Sequence, residues 1–212
     1  MLSRRIDLST ELPLEDLRRL EARIHDVMLA TREEGLLIPP SRITLRGESR
    51  KARREAERIR YKYVIIAYEP ENRREAIEAM KCPFIDVISL PPEKLRILSK
   101  PLVHVARINN KYIEISLRGA FERLEETIKS LMKARHRASV RYAKIYFGSG
   151  ARSKEERRDS YALSGFLRMI LRYDLLKLSS ERQRELLKRN RDKLEGFEIF
   201  RGVKLSGEED DS

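Results

Sequence analysis

The chain has 212 residues, of which 41% are hydrophobic and 38% are charged, and its formal net charge is +12. This length and composition indicate a folded protein with one large domain, and the basic balance favours a polyanionic partner such as nucleic acid. The single cysteine, Cys82, excludes an internal disulfide framework, and the lack of a long apolar segment excludes a signal peptide and a membrane span, so we expect a cytoplasmic protein.

The basic charge is concentrated in the second half of the chain. Residues 121–205 carry 22 basic and 12 acidic side chains, a net charge of +10, whereas residues 206–212 are predicted to form a disordered acidic tail. Arginine outnumbers lysine by 32 to 14, which favours bidentate contacts with phosphate groups. The alternative interpretation is that arginine and glutamate form solvated ion-pair networks, as in proteins of thermophiles, and both interpretations can hold together.

Short apolar segments alternate with charged helical patterns along the chain, which is typical of βα units around a parallel sheet. Because eight such strands close a (β/α) barrel, we predict an α/β, TIM-like barrel that forms a single domain over residues 1–205. The predicted strands are Ile6–Ser9, Val27–Thr31, Ile43–Leu45, Val64–Tyr68, Ile85–Leu90, Tyr112–Leu117, Ala143–Phe147 and Leu175–Leu178.

The helices between these strands are predicted from apolar residues at helical spacing. They cover residues 14–24, 48–60 and 121–141, and apolar stripes over residues 162–170 and 186–194 predict two more. Residues 32–41 contain a glycine and two adjacent prolines, which prevent a full helix there. We therefore expect one βα unit of the barrel to be degenerate.

Small residues and cations follow the carboxyl ends of predicted strands. Arg118 and Gly119 follow one strand, and Gly148, Ser149 and Gly150 follow or end the next. Further cations near strand ends are Arg46, Arg152, Lys154, Arg157 and Arg158. Since the carboxyl ends of parallel strands meet at one edge and hold ligands, these cations and backbone N–H groups predict a site for an anion such as phosphate.

The last predicted helix carries six basic residues between positions 182 and 193. That density favours contact with a phosphate backbone over a merely solvated face, and Arg184, Lys188 and Arg191 are the RNA-binding candidates on it. The chain has no tryptophan and only 7% aromatic residues, so base stacking is not expected to dominate. Reading of structured RNA through its shape and backbone fits the composition better.

The sequence offers no convergent set of residues for metal binding or nucleophilic catalysis. The histidines at positions 25, 104 and 136 are isolated from one another and from the cysteine. Ser149 lacks the sharp G-x-S-x-G turn and a following histidine that would activate it. We therefore predict no catalytic residue and no metal ligand in this chain.

Two acidic residues, Asp86 and Glu114, fall inside predicted strands rather than at strand ends. General acid–base catalysis would need two carboxylates that converge on a substrate. We expect instead that these carboxylates pair with Arg118 or Arg46 across the barrel, because a buried carboxylate needs a partner.

Seven segments resemble archaeal ribonuclease P protein component 3 by their order and spacing, over about residues 5–205. They are RITL (42–45), YVIIAYEP (63–70), FIDVISL (84–90), YIEISLRG (112–119), GSGA (148–151), LLKRNRDKL (186–194) and RGVKL (201–205). The chain departs from the family pattern in two places, since it lacks the proline before the helix that follows GSGA and the proline before the last helix.

The resemblance implies a barrel-fold protein subunit of ribonuclease P, in which an RNA performs the chemistry that removes the 5′ leader of precursor tRNA. It implies as partners the ribonuclease P RNA and the small protein component 2, with precursor tRNA as the substrate of the holoenzyme. It also implies that the protein binds no cofactor, and that Mg²⁺ acts through the RNA. The residues leave two alternatives open, a metal-dependent barrel hydrolase and an RNA-binding module of another ribonucleoprotein.

Overall fold

The structure is a computed structural model that describes residues 5–7, 27–29, 42–60, 65–117, 119–120, 122–137, 144–148, 160–171, 175–194, 198–200 and 203–204. The predicted helix over residues 14–24, the degenerate unit at 32–41 and the acidic tail lie outside these residues. The single-domain boundaries, 1–205, therefore stay a prediction.

Seven of the strands follow one another in chain order with parallel pairing. Strands β3 to β7 form one five-stranded sheet in the order β3-β4-β5-β6-β7, and β1 and β2 form a separate parallel pair. Their bounds are β1 Arg5–Asp7, β2 Val27–Leu29, β3 Arg42–Leu45, β4 Ile65–Tyr68, β5 Val87–Leu90, β6 Tyr112–Ser116 and β7 Ile145–Gly148. This confirms the predicted parallel α/β architecture, although the sheet is not closed within the described residues.

Within the described residues, six α-helices and one 3₁₀ helix connect or follow these strands. Their bounds are α1 Ser49–Ile59, α2 Arg73–Met80, a 3₁₀ helix at Pro92–Ile97, α3 Lys100–Ile108, α4 Leu124–Arg137, α5 Ser160–Leu171 and α6 Leu175–Leu194. The sequence predicted α1, α4, α5 and the second half of α6 from their apolar stripes. None of the described helices is long and apolar enough to cross a membrane.

Strands β4 to β7 are buried on both faces, as parallel strands between layers are, whereas the edge strand β3 is half-buried. One face packs against the helices through residues such as Ile66, Ile88 and Ile113, which belong to the main apolar core. The other face, which includes Tyr112 and Tyr146, packs against Leu186 of α6. Alternate residues of each strand therefore point to opposite faces of the sheet and pack in two different apolar clusters.

The predicted eighth strand at Leu175–Leu178 is wrong, because these residues form the first turn of α6. Side chains of α6 supply the hydrogen bonds that an eighth strand would have made with the edge of β7. The Ser179 hydroxyl accepts from the Phe147 amide at 2.9 Å, Gln183 donates to the Phe147 carbonyl at 2.8 Å, and Arg182 donates to the Ile145 carbonyl. Helix α6 also lies against β1, so it contacts both parts of the parallel sheet structure.

A short antiparallel hairpin near the carboxyl terminus was not predicted from the sequence. It consists of β8, Glu198–Phe200, and β9, Val203–Lys204, with Phe200 paired to Val203. Two residues, one of them a glycine, separate the strands in the sequence, which is the spacing of a tight hairpin turn. The apolar runs are too short to stand out beside the longer strands of the sheet.

Candidate nucleic-acid interface

A cluster of ion pairs lies at the carboxyl ends of β3 and β4. Arg46, which follows β3, places its Nε atom 3.0 Å from Oε2 of Glu69, which follows β4. The Lys94 ammonium lies 3.1 Å from the other oxygen of Glu69 and 2.7 Å from Glu71. Burial acts to lower the pKa of Lys94, but its hydrogen bonds to Glu71 and Glu69 outweigh burial and raise it.

Arg46 is therefore held by a protein carboxylate while it stays partly open to solvent. Its side chain is 45% exposed, whereas the Glu69 side chain is 7% exposed. Arg46 is accessible to a ligand, and its RNA-binding role stays a prediction. A phosphate at Arg46 would share the guanidinium with Glu69.

The buried carboxylates pair with arginines, but with different ones from those expected. Glu114, fully buried on β6, accepts a hydrogen bond of 2.5 Å from Arg42 on β3. Asp86, just before β5, accepts from Arg60 at 2.6 Å and from the Ile66 amide at 3.0 Å.

The expected pairing of these two carboxylates with Arg46 is wrong, because Arg46 binds Glu69 instead. The expected pairing with Arg118 falls outside the described residues. The sequence did not indicate Arg42 and Arg60 as partners, because both lie at the amino-terminal side of strands, away from the edge where ligands bind.

The basic residues of α6 divide into an inner set and an outer set. Arg182 is buried against the Ile145 carbonyl, and burial lowers its pKa. Arg189 donates to the Asn110 carbonyl, lies 3.5 Å from Asp86 and stacks 5.2 Å from the centre of the Tyr112 ring. These two arginines hold the helix on the sheet.

The outer set contains the three RNA-binding candidates of α6. Arg184 is half-buried and Lys188 is exposed, and position 191 follows them at helical spacing on the same face. That face is opposite the buried side chains of Ser179 and Leu186. The structure thus brings these three positions together on a surface away from the sheet.

Six other candidates, Arg118, Ser149, Arg152, Lys154, Arg157 and Arg158, lie outside the described residues. Their neighbours Ser116 and Gly148 are register partners at the ends of β6 and β7. Strands β6 and β7 therefore end side by side, and the RNA-binding roles of the residues that follow them stay predictions. Within the described residues, no group of three or more His, Cys, Asp or Glu side chains is placed to hold a metal ion.

The sequence interpretation missed a basic depression of about 980 Å³ at the amino termini of α2 and α3. Its lining includes the cations Arg73, Arg96 and Lys100 together with Ser99. The sequence contains two signals of helix starts at this place. One is Asn72 with Glu75 three residues later, and the other is Ser99 before Lys100 and Pro101. A helix that follows a parallel strand begins at the carboxyl-terminal edge of the sheet, which is where ligands bind.

Known proteins add a family and a fold to this geometry. The family model described as RNase P subunit p30 matches residues 30–195. Among curated proteins, none matches the chain significantly. A chain in the cryo-EM structure of archaeal ribonuclease P with mature tRNA is similar in fold, with a TM-score of 0.65 and 18% identity over 96% of this chain and 88% of that one.

The family match and the fold agree with the segments in which the sequence resembles archaeal ribonuclease P protein component 3. The matched residues 30–195 contain the five-stranded sheet and the six described α-helices. The parallel pair β1–β2 and the hairpin β8–β9 lie outside the match. The chain therefore belongs to the ribonuclease P subunit p30 family and is a protein subunit of ribonuclease P.

Proposed function

We propose that this subunit binds the ribonuclease P RNA through phosphate contacts and performs no chemistry itself. The observation that carries the proposal is the division of the cations on α6, where Arg182 and Arg189 are used by the fold and the outer positions 184, 188 and 191 face away from it. Cations on a helix face that points away from the sheet are placed to neutralise phosphate charge. Neutralisation of that kind stabilises a folded RNA without any catalytic side chain.

The RNA and its substrate follow from family membership together with the similar fold seen in a ribonuclease P that holds mature tRNA. We assign the phosphodiester hydrolysis of the precursor tRNA leader to the RNA component. Mg²⁺ would be held mainly by RNA phosphates, as the resemblance of the sequence to component 3 implies. Protein component 2 is the expected protein partner, and this assignment rests on the resemblance of the sequence to component 3.

Reconstitution tests the proposal directly. The full chain is purified free of RNA and incubated with precursor tRNA and Mg²⁺, alone or with ribonuclease P RNA and component 2. We expect no leader removal by the protein alone and faster removal by the RNA when the chain and component 2 are present together. Magnesium-dependent cleavage by the RNA-free chain, retained through stringent purification, would contradict the proposal.

A further inference from the structure

The basic depression at the starts of α2 and α3 has the features of a phosphate site. Its walls come from residues 71–73 and 96–101, so both helices present their first turns to it. Helix α2 has eight residues and α3 has nine, which is long enough for each to place partial positive charge at its amino terminus. The depression is open, which suits a chain passing over the surface.

The Ser99 hydroxyl is the observation that points to a ligand. Ser99 lines the depression as the N-cap of α3, its residue is 8% exposed, and its Oγ atom has no hydrogen-bond partner among the described residues. An N-cap serine normally accepts a hydrogen bond from an amide of the first turn, but here it makes no such bond. A buried hydroxyl without a partner is costly, and a ligand oxygen would satisfy it.

The first turn of α2 is capped by side-chain hydrogen bonds, whereas that of α3 has no side-chain cap. In α2, the Asn72 side chain accepts from the Glu75 amide at 3.0 Å, and the Glu75 carboxylate accepts from the Glu71 amide at 3.0 Å. In α3, the amides of the first turn have no acceptor within the helix, and Pro101 has no N–H to donate. An anion at Ser99 would complete the cap that α3 lacks.

The charges around Ser99 favour an anion. Arg73 and Lys100 are exposed lining residues, and within the described part of the chain neither side chain has a hydrogen-bond or ion-pair partner. Glu71 is the acidic residue of the lining, and its carboxylate is held by Lys94 at 2.7 Å. The depression therefore places two cations without an acidic partner beside a hydroxyl without a hydrogen-bond partner, within the described residues.

We propose that this depression binds a backbone phosphate of RNA, with Ser99 and the first amides of α3 contacting phosphate oxygens and with Arg73 and Lys100 balancing the charge. The inference rests on the proposed function, because it takes the RNA as the source of the phosphate. It places a second RNA contact on the carboxyl-terminal edge of the sheet, formed by residues that are distinct from the outer face of α6.

Binding of full-length variants to ribonuclease P RNA, measured over a range of salt concentrations, tests this site. Arg73→Gln with Lys100→Gln should weaken binding and make the slope of log affinity against log salt shallower by about one to two, because two phosphate-facing cations are lost. Ser99→Ala should weaken binding by about threefold to tenfold, the loss of one hydrogen bond, with the slope unchanged because the hydroxyl carries no charge.

The matched control is Lys81→Gln with Arg107→Gln, which removes two exposed cations from the carboxyl-terminal ends of the same two helices. This control should bind RNA as the parent does, and circular dichroism with urea unfolding should show every variant folded. If Arg73→Gln/Lys100→Gln and Ser99→Ala both behave as the control does, the site is overturned while RNA binding by the parent still supports the proposed function. If the parent itself fails to bind the RNA, the proposed function and this inference fall together.

A separate arm uses inorganic phosphate and amide NMR shifts at Ser99 and Lys100. We expect RNA to shift these amides at concentrations where inorganic phosphate does not, because the chain's other cations add to the affinity for RNA. Shifts with inorganic phosphate, together with unchanged RNA affinity in the variants, would identify a site for a free anion and would overturn the assignment to RNA.

Discussion

Several basic residues are paired inside the protein, so fewer cations are available for RNA than the net charge suggests. Arg42 forms an ion pair with Glu114 at 2.5 Å, and Arg60 forms one with Asp86 at 2.6 Å. Lys111 is buried and donates to the carbonyls of Pro83 and Ile85. Such internal cations are needed because a buried carboxylate or carbonyl must have a partner.

Lys111 gives a prediction about pH. Burial lowers its pKa to about 8 in the folded protein, from 10.5 for an ordinary lysine. Between these two values the unfolded chain binds more protons than the folded one, so stability rises as the pH rises through this window. The free energy of unfolding carries the full penalty of charged, buried Lys111 below pH 8 and loses it above about pH 10.5, a change on the order of 3 kcal/mol.

Urea unfolding of the parent and of Lys111→Met, at several pH values from 7 to 11, isolates this effect because the other titrating groups are shared. We expect the stability of the parent, relative to the variant, to rise across the window. Parallel pH profiles for the two proteins would show that Lys111 keeps an ordinary pKa when folded.

Among the elements, α6 combines two tasks on its two faces. Its buried face is largely polar, with Ser179, Gln183 and Asn190 each at most 3% exposed. This face binds the edge of β7, while the outer face carries the candidate RNA contacts. The start of the helix was mistaken for a strand because apolar content alone cannot distinguish four leucine-rich residues of a strand from one helical turn.

The starts of α2 and α3 give a prediction at the same scale. Asn72→Ala should lower the free energy of unfolding by about 1 kcal/mol, because it removes a cap bond that the structure contains. Ser99→Ala should change it by much less, because that hydroxyl makes no cap bond. Urea unfolding in phosphate-free buffer measures both. Equal losses in the two variants would mean that Ser99 caps α3 in solution.

Over the whole molecule, the sequence predicted the parts of the fold that depend on local pattern. The strands from β4 to β7 are buried on both faces, so their apolar residues form nearly continuous runs that stand out, as in residues 65–68 and 87–90. The contacts between distant segments were not predictable. Arg42 with Glu114, and α6 with the edge of β7, join residues that are far apart in the chain and carry no local signal.

The candidate site shows the same division. The sequence placed Arg184, Lys188 and Arg191 on one helix, and their spacing alone is enough to place them on one face. It did not separate them from Arg182 and Arg189, because only tertiary contacts decide which cations of a helix are used internally. The depression at Ser99 was missed for a related reason, since its walls come from two βα units.

The salt dependence of RNA binding shows whether the outer cations of α6 bind RNA phosphates. With Arg184, Lys188 and Arg191 changed to alanine, the slope of log affinity against log salt should become shallower by about two to three if all three touch duplex phosphates. Affinity for unrelated structured RNAs should fall in parallel, because phosphate contacts carry little sequence information.

The matched control for this measurement changes three exposed cations on or next to other helices, Lys81, Arg107 and Lys133, to alanine. We expect the control to keep the affinity and the salt slope of the parent. If the α6 variant is folded by circular dichroism and also keeps both, the outer face of α6 is a solvated surface, and the claim that it binds RNA is wrong.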